Sequence, residues 1–365
     1  MKKILYIGWG GHLNLGDEIM LDVFKQRLRS TGNDYQLETV NGELAFLLNA
    51  NIKDYDTIVV GGGTMFNGLS DIMDVALLEL LQDAVRMDKK FLVWGAGVDG
   101  LPRSFVSSLL KQESPPFPFP SSLLRNIREV FGASLWSGVR GPLSQAILRQ
   151  LGVDEVKMSG DPALLLSKAE LQIHPYSKEW SNVPKSKIIG VNWGTAHNRI
   201  YGTDEIRVEN ELAAALQDLM KQGYTVYLYT LWEQDQAAAQ RLYSKINHNG
   251  NVFLNTKICS QDELLNMLDE FEFTINFKLH ASCLSLCVGV PFIALGHRFK
   301  VFDFAHSVGM ERYVLPTDEM DMEESILKMV ASMEKTRPFV ISQMTAARWR
   351  LIEVAEEPFQ RRLMD

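Results

Sequence analysis

Short apolar runs that end in glycine alternate with longer stretches of helical periodicity along the chain. "KILYIGW" (3–9), "DTIVVGGG" (56–63), "KFLVWGAG" (90–97) and "SLWSGVRG" (134–141) read as buried strands. Between them, 17–30 and 71–87 carry the spacing of amphipathic helices. This alternation predicts βαβ units and a parallel sheet covered on both faces. "KQESPPFPFPSS" (111–122) interrupts it, because four prolines in twelve residues suit neither a helix nor a central strand. It reads as an extended surface connection or as an aromatic lip over a cleft. The polar segment 167–187 lacks periodicity and marks a second boundary.

A second alternating series follows. "KIIGVNWGT" (187–195), a helix over 204–222, "YTVYLYTLW" (224–232), the helix 233–246, "NVFLN" (251–255), the helix 260–271, "EFTINF" (272–277) and "VPFIALG" (290–296) repeat the pattern. The expected fold is therefore α/β, with two Rossmann-like doubly wound domains facing across a cleft. The first domain is placed at 1–170 and the second at 185–337. A helix over 338–365 packs back on the first. Ligands of such sheets sit beyond the carboxyl ends of the strands, where the glycines fall.

Composition narrows the chemistry. Hydrophobic residues are 46% and charged residues 22% of 365, enough for two cores. The formal net charge of -8 argues against a nucleic-acid partner. No run approaches the roughly 20 apolar residues of a membrane helix, and the N-terminus reads as a strand, so a cytoplasmic protein is expected. Cys259, Cys283 and Cys287 form no CxxC pair and offer no metal-ligand spacing. No metal is expected.

Against this acidic background the cations of "NFKLHASCLSLCVGVPFIALGHRFKVFDF" (276–304) stand out. Lys278, His280, His297, Arg298 and Lys300 lie at the edges of apolar runs, where strands end. The glycine-rich turn "GWGGHLNLGDE" (8–18) opens a helix with Asp17 and Glu18 at its start. Its spacing is not GxGxxG, which disfavours a dinucleotide. His12 and Asn14 are available there for hydrogen bonds, with a purely turn-fixing role as the other reading. Gly62 and Gly63 can offer backbone N–H groups to an anion or a sugar. In "GVNWGTAHNRIYG" (190–202), Trp193 and Tyr201 are candidates to stack on a sugar, and His197 to act as base for an acceptor hydroxyl. Asp161 either orients Arg140 or caps a turn. Asp303 is a candidate partner for a cation.

The ordered set "NLGDE" (14–18), "VVGGGTMF" (59–66), "WGAGVDG" (94–100), "GVRGPLS" (138–144), "GDPALLL" (160–166), "GVNWG" (190–194) and "KLHASCLSLCVGVPFIALGHRFKVFDF" (278–304) resembles the polysaccharide pyruvyl transferase family. The resemblance implies the two-domain arrangement of a type B glycosyltransferase. It implies phosphoenolpyruvate as donor, used as a co-substrate with no cofactor. The product is a pyruvate ketal on a cell-surface or exopolysaccharide precursor. The acceptor is a glycan or a lipid-linked oligosaccharide, with peripheral contact at the inner face of the membrane as a further expectation. Donor roles fall on Arg140, His280 and Lys300, with Lys278 and Arg298 as further cations. Two positions depart from the family pattern: Gly141 stands where an acid is usual, and Lys278 where an arginine is usual. Lysine supplies a point charge without the planar bidentate grip of arginine.

The chemistry ties these residues together. Phosphoenolpyruvate carries about three negative charges near neutral pH. Its terminal carbon must be protonated before a hydroxyl attacks the central carbon, and His280 is the expected general acid. A nucleotide-sugar glycosyltransferase of the same architecture is the alternative. It would need an acid for the ribose, with Asp262 and Glu263 available. A non-catalytic sugar-binding relative is the third reading.

Overall fold

The computed structural model describes residues 1–11, 14–69, 71–166, 183, 187–246 and 251–365. His12 and nearly all of the 167–187 boundary segment lie outside the described residues.

Among these residues the strands form two parallel sheets. The first contains β1 (Lys2–Gly8), β2 (Tyr35–Asn41), β3 (Thr57–Val60), β4 (Gly63–Phe66), β5 (Lys90–Val98), β6 (Trp136–Val139) and β7 (Lys157–Met158). Its order is β2-β1-β3-β5-β6-β7, with β4 pairing the far end of β5. The second contains β8 (Ile188–Asn192), β9 (Thr225–Tyr229), β10 (Val252–Asn255), β11 (Phe273–Asn276), β12 (Phe292–Gly296) and β13 (Val314–Pro316). Its order is β10-β9-β8-β11-β12-β13. In both, order reverses beside the first strand, which opens a crevice at the carboxyl ends. The central strands β3, β8, β9, β11 and β12 are buried throughout, as two-sided cover by helices demands. β2 is an edge strand, and its "YQLETVN" is half exposed.

One helix of the first domain reaches the cleft with its start. α1 (Leu15–Ser30) starts beneath β1, where the Asn14 side chain accepts a hydrogen bond from the Gly16 N–H. It buries Ile19, Met20, Val23, Phe24 and Leu28 at helical spacing. α2 (Leu44–Leu47), α3 (Val75–Arg86), α4 (Arg103–Leu110), α5 (Ser121–Ala133) and α6 (Pro142–Gln150) complete the set. The proline-rich connection between α4 and α5 packs on the domain. Phe117 stacks on Phe119 at 5.5 Å and contacts Phe105 at 5.6 Å, and none of the three lines the cleft.

The second domain adds α7 (Glu205–Lys221), α8 (Gln236–Ile246), α9 (Gln261–Leu268), α10 (Leu279–Cys287), α11 (Phe299–Ser307) and α12 (Met322–Gln360). α12 begins well before Pro338, the residue at which the sequence pattern starts a helix. Pro338 lies inside it. A proline in a helix interior is costly. Here the turn before it is anchored to the second domain, by an Arg337–Glu272 ion pair and by a hydrogen bond from the Tyr224 hydroxyl to Glu334. Beyond it the helix crosses to the first domain. Trp94 donates to the Ala355 carbonyl at 2.9 Å, Arg27 pairs with Glu356 at 2.9 Å, and Phe359 packs edge-on against Trp94. Among the described residues no helix is long and apolar enough to cross a membrane.

A second contact joins the domains at the cleft. Asp303, on α11 and fully buried, accepts from the N–H groups of Leu143 and Ser144 at 2.8 and 3.0 Å. It thus caps α6 across the domain boundary, and Pro142 at the first helical position needs no partner for its nitrogen. A Cβ at Gly141 would overlap the Asp303 carboxylate and backbone carbonyl. The departure that the resemblance marks at Gly141 thus has a steric reason, a carboxylate from the other domain filling that space. Gly141→Asp should therefore lower stability by about 2 kcal/mol or more, through overlap and a second buried carboxylate. Urea denaturation measures it, and an unchanged midpoint would refute the packing argument.

Candidate functional site

Strand ends of both domains enclose a cavity of about 250 Å³. Asn14, Asp17, Gly63 and Arg140 line it from the first domain. His197, Lys278, His280, Arg298 and Lys300 line it from the second. The fold thus brings together most of the residues singled out in the sequence.

Arg140 follows β6 and is 1% exposed. Its backbone N–H donates to Ala96 at 2.9 Å, continuing the ladder, while Nη2 reaches the Val98 carbonyl only at 3.4 Å. Its Nε is buried with no hydrogen-bond partner, and the residue forms no ion pair among the described residues. Gly97 lies under the guanidinium, and a Cβ there would overlap it. A buried, unpaired cation is costly unless an anion completes it.

The remaining cations have partners. Asp99, just past β5 and buried, pairs with Arg298 at 2.7 Å and lies 3.6 Å from Lys300. Burial alone would raise the Asp99 carboxyl, but Lys300, Arg298, the Gly100 N–H and Arg140 outweigh it and hold it below the usual range. Lys300 is pushed down to about 8, by burial first and then by Arg298 and Arg140, against the pull of Asp99 and Asp17. Lys278 is spoken for by Asp235 at 3.0 Å and the Thr195 carbonyl at 2.8 Å. Its ammonium lies 5.2 Å from the centre of the Trp232 ring. Even so, burial keeps the Asp235 carboxyl above its ordinary value.

His280 sits in the first turn of α10, and its ring packs directly on Gly16 in the first turn of α1, where a Cβ would overlap Nδ1. Its Nε2 faces Asp161 Oδ2 at 3.8 Å. Asp161 caps a short 3-10 turn, Pro162–Leu165, by accepting from the Ala163 N–H at 3.0 Å. It does not pair with Arg140. Asp17 faces the cavity beside His280 and Lys300, and burial raises its carboxyl despite the opposing pull of both neighbours. His297 stacks on Phe277 at 4.2 Å. Burial, Lys300 and Arg298 push its imidazole down to about 3, so it is neutral.

The loop after β8 forms the opposite wall. Glu205 gathers the Ala196 and Asn198 N–H groups at 2.6 and 3.0 Å and the Thr195 hydroxyl at 2.8 Å, and Asp235 takes the Thr195 N–H at 3.0 Å. This holds His197 and Asn198 in left-handed backbone conformations, exposed at the rim. Trp193 is not at that wall. It is 1% exposed, donates to Glu209 at 2.9 Å and belongs to the core. Trp232, after β9, is the aromatic that lines the cavity. Tyr201 donates to the Leu101 carbonyl at 2.7 Å, across the domain boundary. Gly62 packs against Met20 and Pro162, while its neighbour Gly63 faces the cavity. Asp99, Asp235 and Trp232 were not singled out from the sequence. The signal for Asp99 was its position just past β5, level with Arg140 after the adjacent β6.

A sequence profile described as polysaccharide pyruvyl transferase matches residues 14–298. No curated protein matches the chain in sequence. Among solved structures, the S. aureus MnaA-UDP co-structure is 12% identical with a TM-score of 0.59, covering 100% of this chain and 97% of that one. A UDP-GlcNAc 2-epimerase from Neisseria meningitidis bound to UDP-GlcNAc is 12% identical with a TM-score of 0.59, covering 100% of each chain. A sucrose-phosphate synthase from Thermosynechococcus elongatus is 14% identical with a TM-score of 0.57, covering 100% and 99%. At these identities the likeness establishes the fold, two Rossmann-like domains arranged as in type B glycosyltransferases. With the profile spanning most of its length, the chain belongs to the polysaccharide pyruvyl transferase family.

Proposed function

We propose that the protein transfers the enolpyruvyl group of phosphoenolpyruvate to two hydroxyls of one sugar in a polysaccharide precursor, forming a pyruvate ketal and releasing phosphate. The observation that carries this reading is Arg140, a buried guanidinium without an ion-pair partner among the described residues, lining the same cavity as His280 and Lys300. A small polyanion is the ligand that completes such a group, and 250 Å³ suits one.

In this reading Arg140 and Lys300 meet the anionic groups of the donor, with Arg298 swinging part of its charge from Asp99. Lys278 adds charge from the wall while it holds the Thr195 carbonyl. His280 protonates the terminal methylene carbon, which becomes a methyl group. The central carbon gains positive character and a sugar hydroxyl adds to it, its proton restoring the acid. The bond from the central carbon to the phosphate oxygen then breaks. A second hydroxyl closes the ring, and its proton leaves with the phosphate. No cofactor enters this balance. Trp232 offers a ring face to the acceptor, and His197, Asn14 and Asp17 offer polar contacts.

The UDP and UDP-GlcNAc bound by two of the structural relatives belong to those proteins. The ribose acid that such a donor requires has poor support here. Glu263 closes a capping box with Ser260 at the start of α9 and does not line the cavity. Asp262 is not at the cavity either.

Phosphate release from phosphoenolpyruvate in the presence of glycan acceptors tests the proposal. His280→Ala should lower turnover by roughly 10²–10⁴-fold while leaving donor affinity within about threefold. Arg140→Gln should instead weaken donor binding by roughly 10²-fold. Turnover that survives His280→Ala would refute the acid assignment. Stabilisation by UDP-sugars but not by phosphoenolpyruvate would refute the donor.

The depressed Lys300 adds a pH dependence. Its charge is present below about 8 and lost above it. Donor affinity measured by calorimetry should therefore hold near neutral pH and fall as pH rises through about 8. The limit is tenfold per pH unit, the slope for one linked proton. Lys300→Met should bind more weakly and show no such fall. A wild-type affinity that is flat from about pH 7 to 9.5 would contradict the assignment, since the whole depressed titration lies in that window.

A further inference from the structure

The two nitrogens of His280 stand in different surroundings. Nε2 is shielded from solvent and has no hydrogen-bond partner. Oδ2 of Asp161 is likewise buried without a partner. The two atoms face each other at 3.8 Å. The other carboxylate oxygen is committed, since Oδ1 accepts from the Ala163 N–H at 3.0 Å. Buried polar atoms without partners are uncommon, and two that face one another mark a contact a small approach would close. Nδ1 lies against Gly16 in the first turn of α1, between Asn14 and Asp17, both of which line the cavity. Asp161 comes from the first domain and His280 from the second, so the pair exists only where the two domains meet.

We propose that Asp161 is a positioning residue for His280. It holds the Nε2–H and fixes the ring, so that the second proton, which makes the ring cationic, sits on Nδ1 and is the one handed to the substrate. This rests on the pyruvyl-transfer reading for its catalytic meaning, but the pairing itself stands on geometry. A carboxylate behind an imidazole selects which nitrogen carries the proton and stabilises the cationic ring. The role explains why Asp161 is fully buried yet uses only one oxygen to cap its turn. It also explains Gly16: only a residue without a side chain leaves room for the ring at that angle.

The decisive variant is Asp161→Asn. Its side-chain carbonyl can still accept from the Ala163 N–H, so the turn keeps its cap. Its amide nitrogen replaces Oδ2, donates to Nε2, and forces the ring proton onto Nδ1. Nitrogen-15 spectra of histidine-labelled protein read the tautomer directly, with His280→Gln identifying the signal among the seven histidines. In the neutral ring, read at a pH above its titration, the expected result is Nε2–H in the wild type and Nδ1–H in Asp161→Asn, while Asp17→Asn leaves the wild-type tautomer in place. Where turnover is measured, Asp161→Asn should lower kcat by roughly 10²–10⁴-fold with donor affinity within about threefold. A purely structural role would move neither the tautomer nor the split between kcat and affinity. Nδ1–H in the wild type, or a tautomer unchanged in Asp161→Asn, overturns the proposal. Failure of phosphoenolpyruvate turnover in the wild type, with the tautomer exchange intact, sinks the reaction and leaves the pairing in place.

Discussion

A guanidinium enclosed by protein is the constraint around which this cleft is organised. Burying an ion costs several kcal/mol even after the surroundings relax. Most buried charges in this protein answer that cost locally: Glu209 pairs with Arg241 and Lys245, and Asp235 pairs with Lys278. Arg140 does not. Its nearest help is one long hydrogen bond to Val98 and the field of Asp303 and Asp99, neither of which forms an ion pair with it. Gly97 keeps the space beneath it clear. An arrangement that leaves the cation incomplete is one that an anionic ligand completes.

The same cleft depends on contact between the domains. Asp303 caps α6 from the second domain, Asp99 of the first gathers Arg298 and Lys300 of the second, and His280 rests on Gly16. α12 fastens the halves from behind, held by Tyr224 and Glu272 at one end and by Trp94 and Arg27 at the other. A change at any of these positions acts on the cavity through the fit of the halves. The strained histidine and asparagine at the rim persist because Glu205 and Asp235 take up the backbone N–H groups around them.

The two sheets were legible because parallel strands are buried on both faces and read as unbroken apolar runs ending in glycine. His280 and Lys300 stood out because cationic or potentially cationic groups at strand ends are conspicuous in an acidic chain, whereas Arg140 drew notice through the family resemblance of its motif. Their countercharges were not. Asp99 and Asp235 look like ordinary loop acids until the fold buries them, and no local pattern tells which cation each will meet. Trp193 and Trp232 each end a strand of the second domain. Only the packing of Glu209 behind the first decides which of them enters the core. The start of α12 was misread at Pro338 because a proline usually ends a helix, and long-range anchors on both sides override that tendency here. The glycine at 141 was visible as a departure, but its reason lies more than 150 residues away in Asp303.

A crystal structure of the protein with phosphoenolpyruvate bound tests the central claim most directly. The account predicts an anionic group of the donor within hydrogen-bond reach of the Arg140 guanidinium, with the terminal carbon turned toward the His280 ring. Donor density elsewhere, with Arg140 still unpaired, would contradict it.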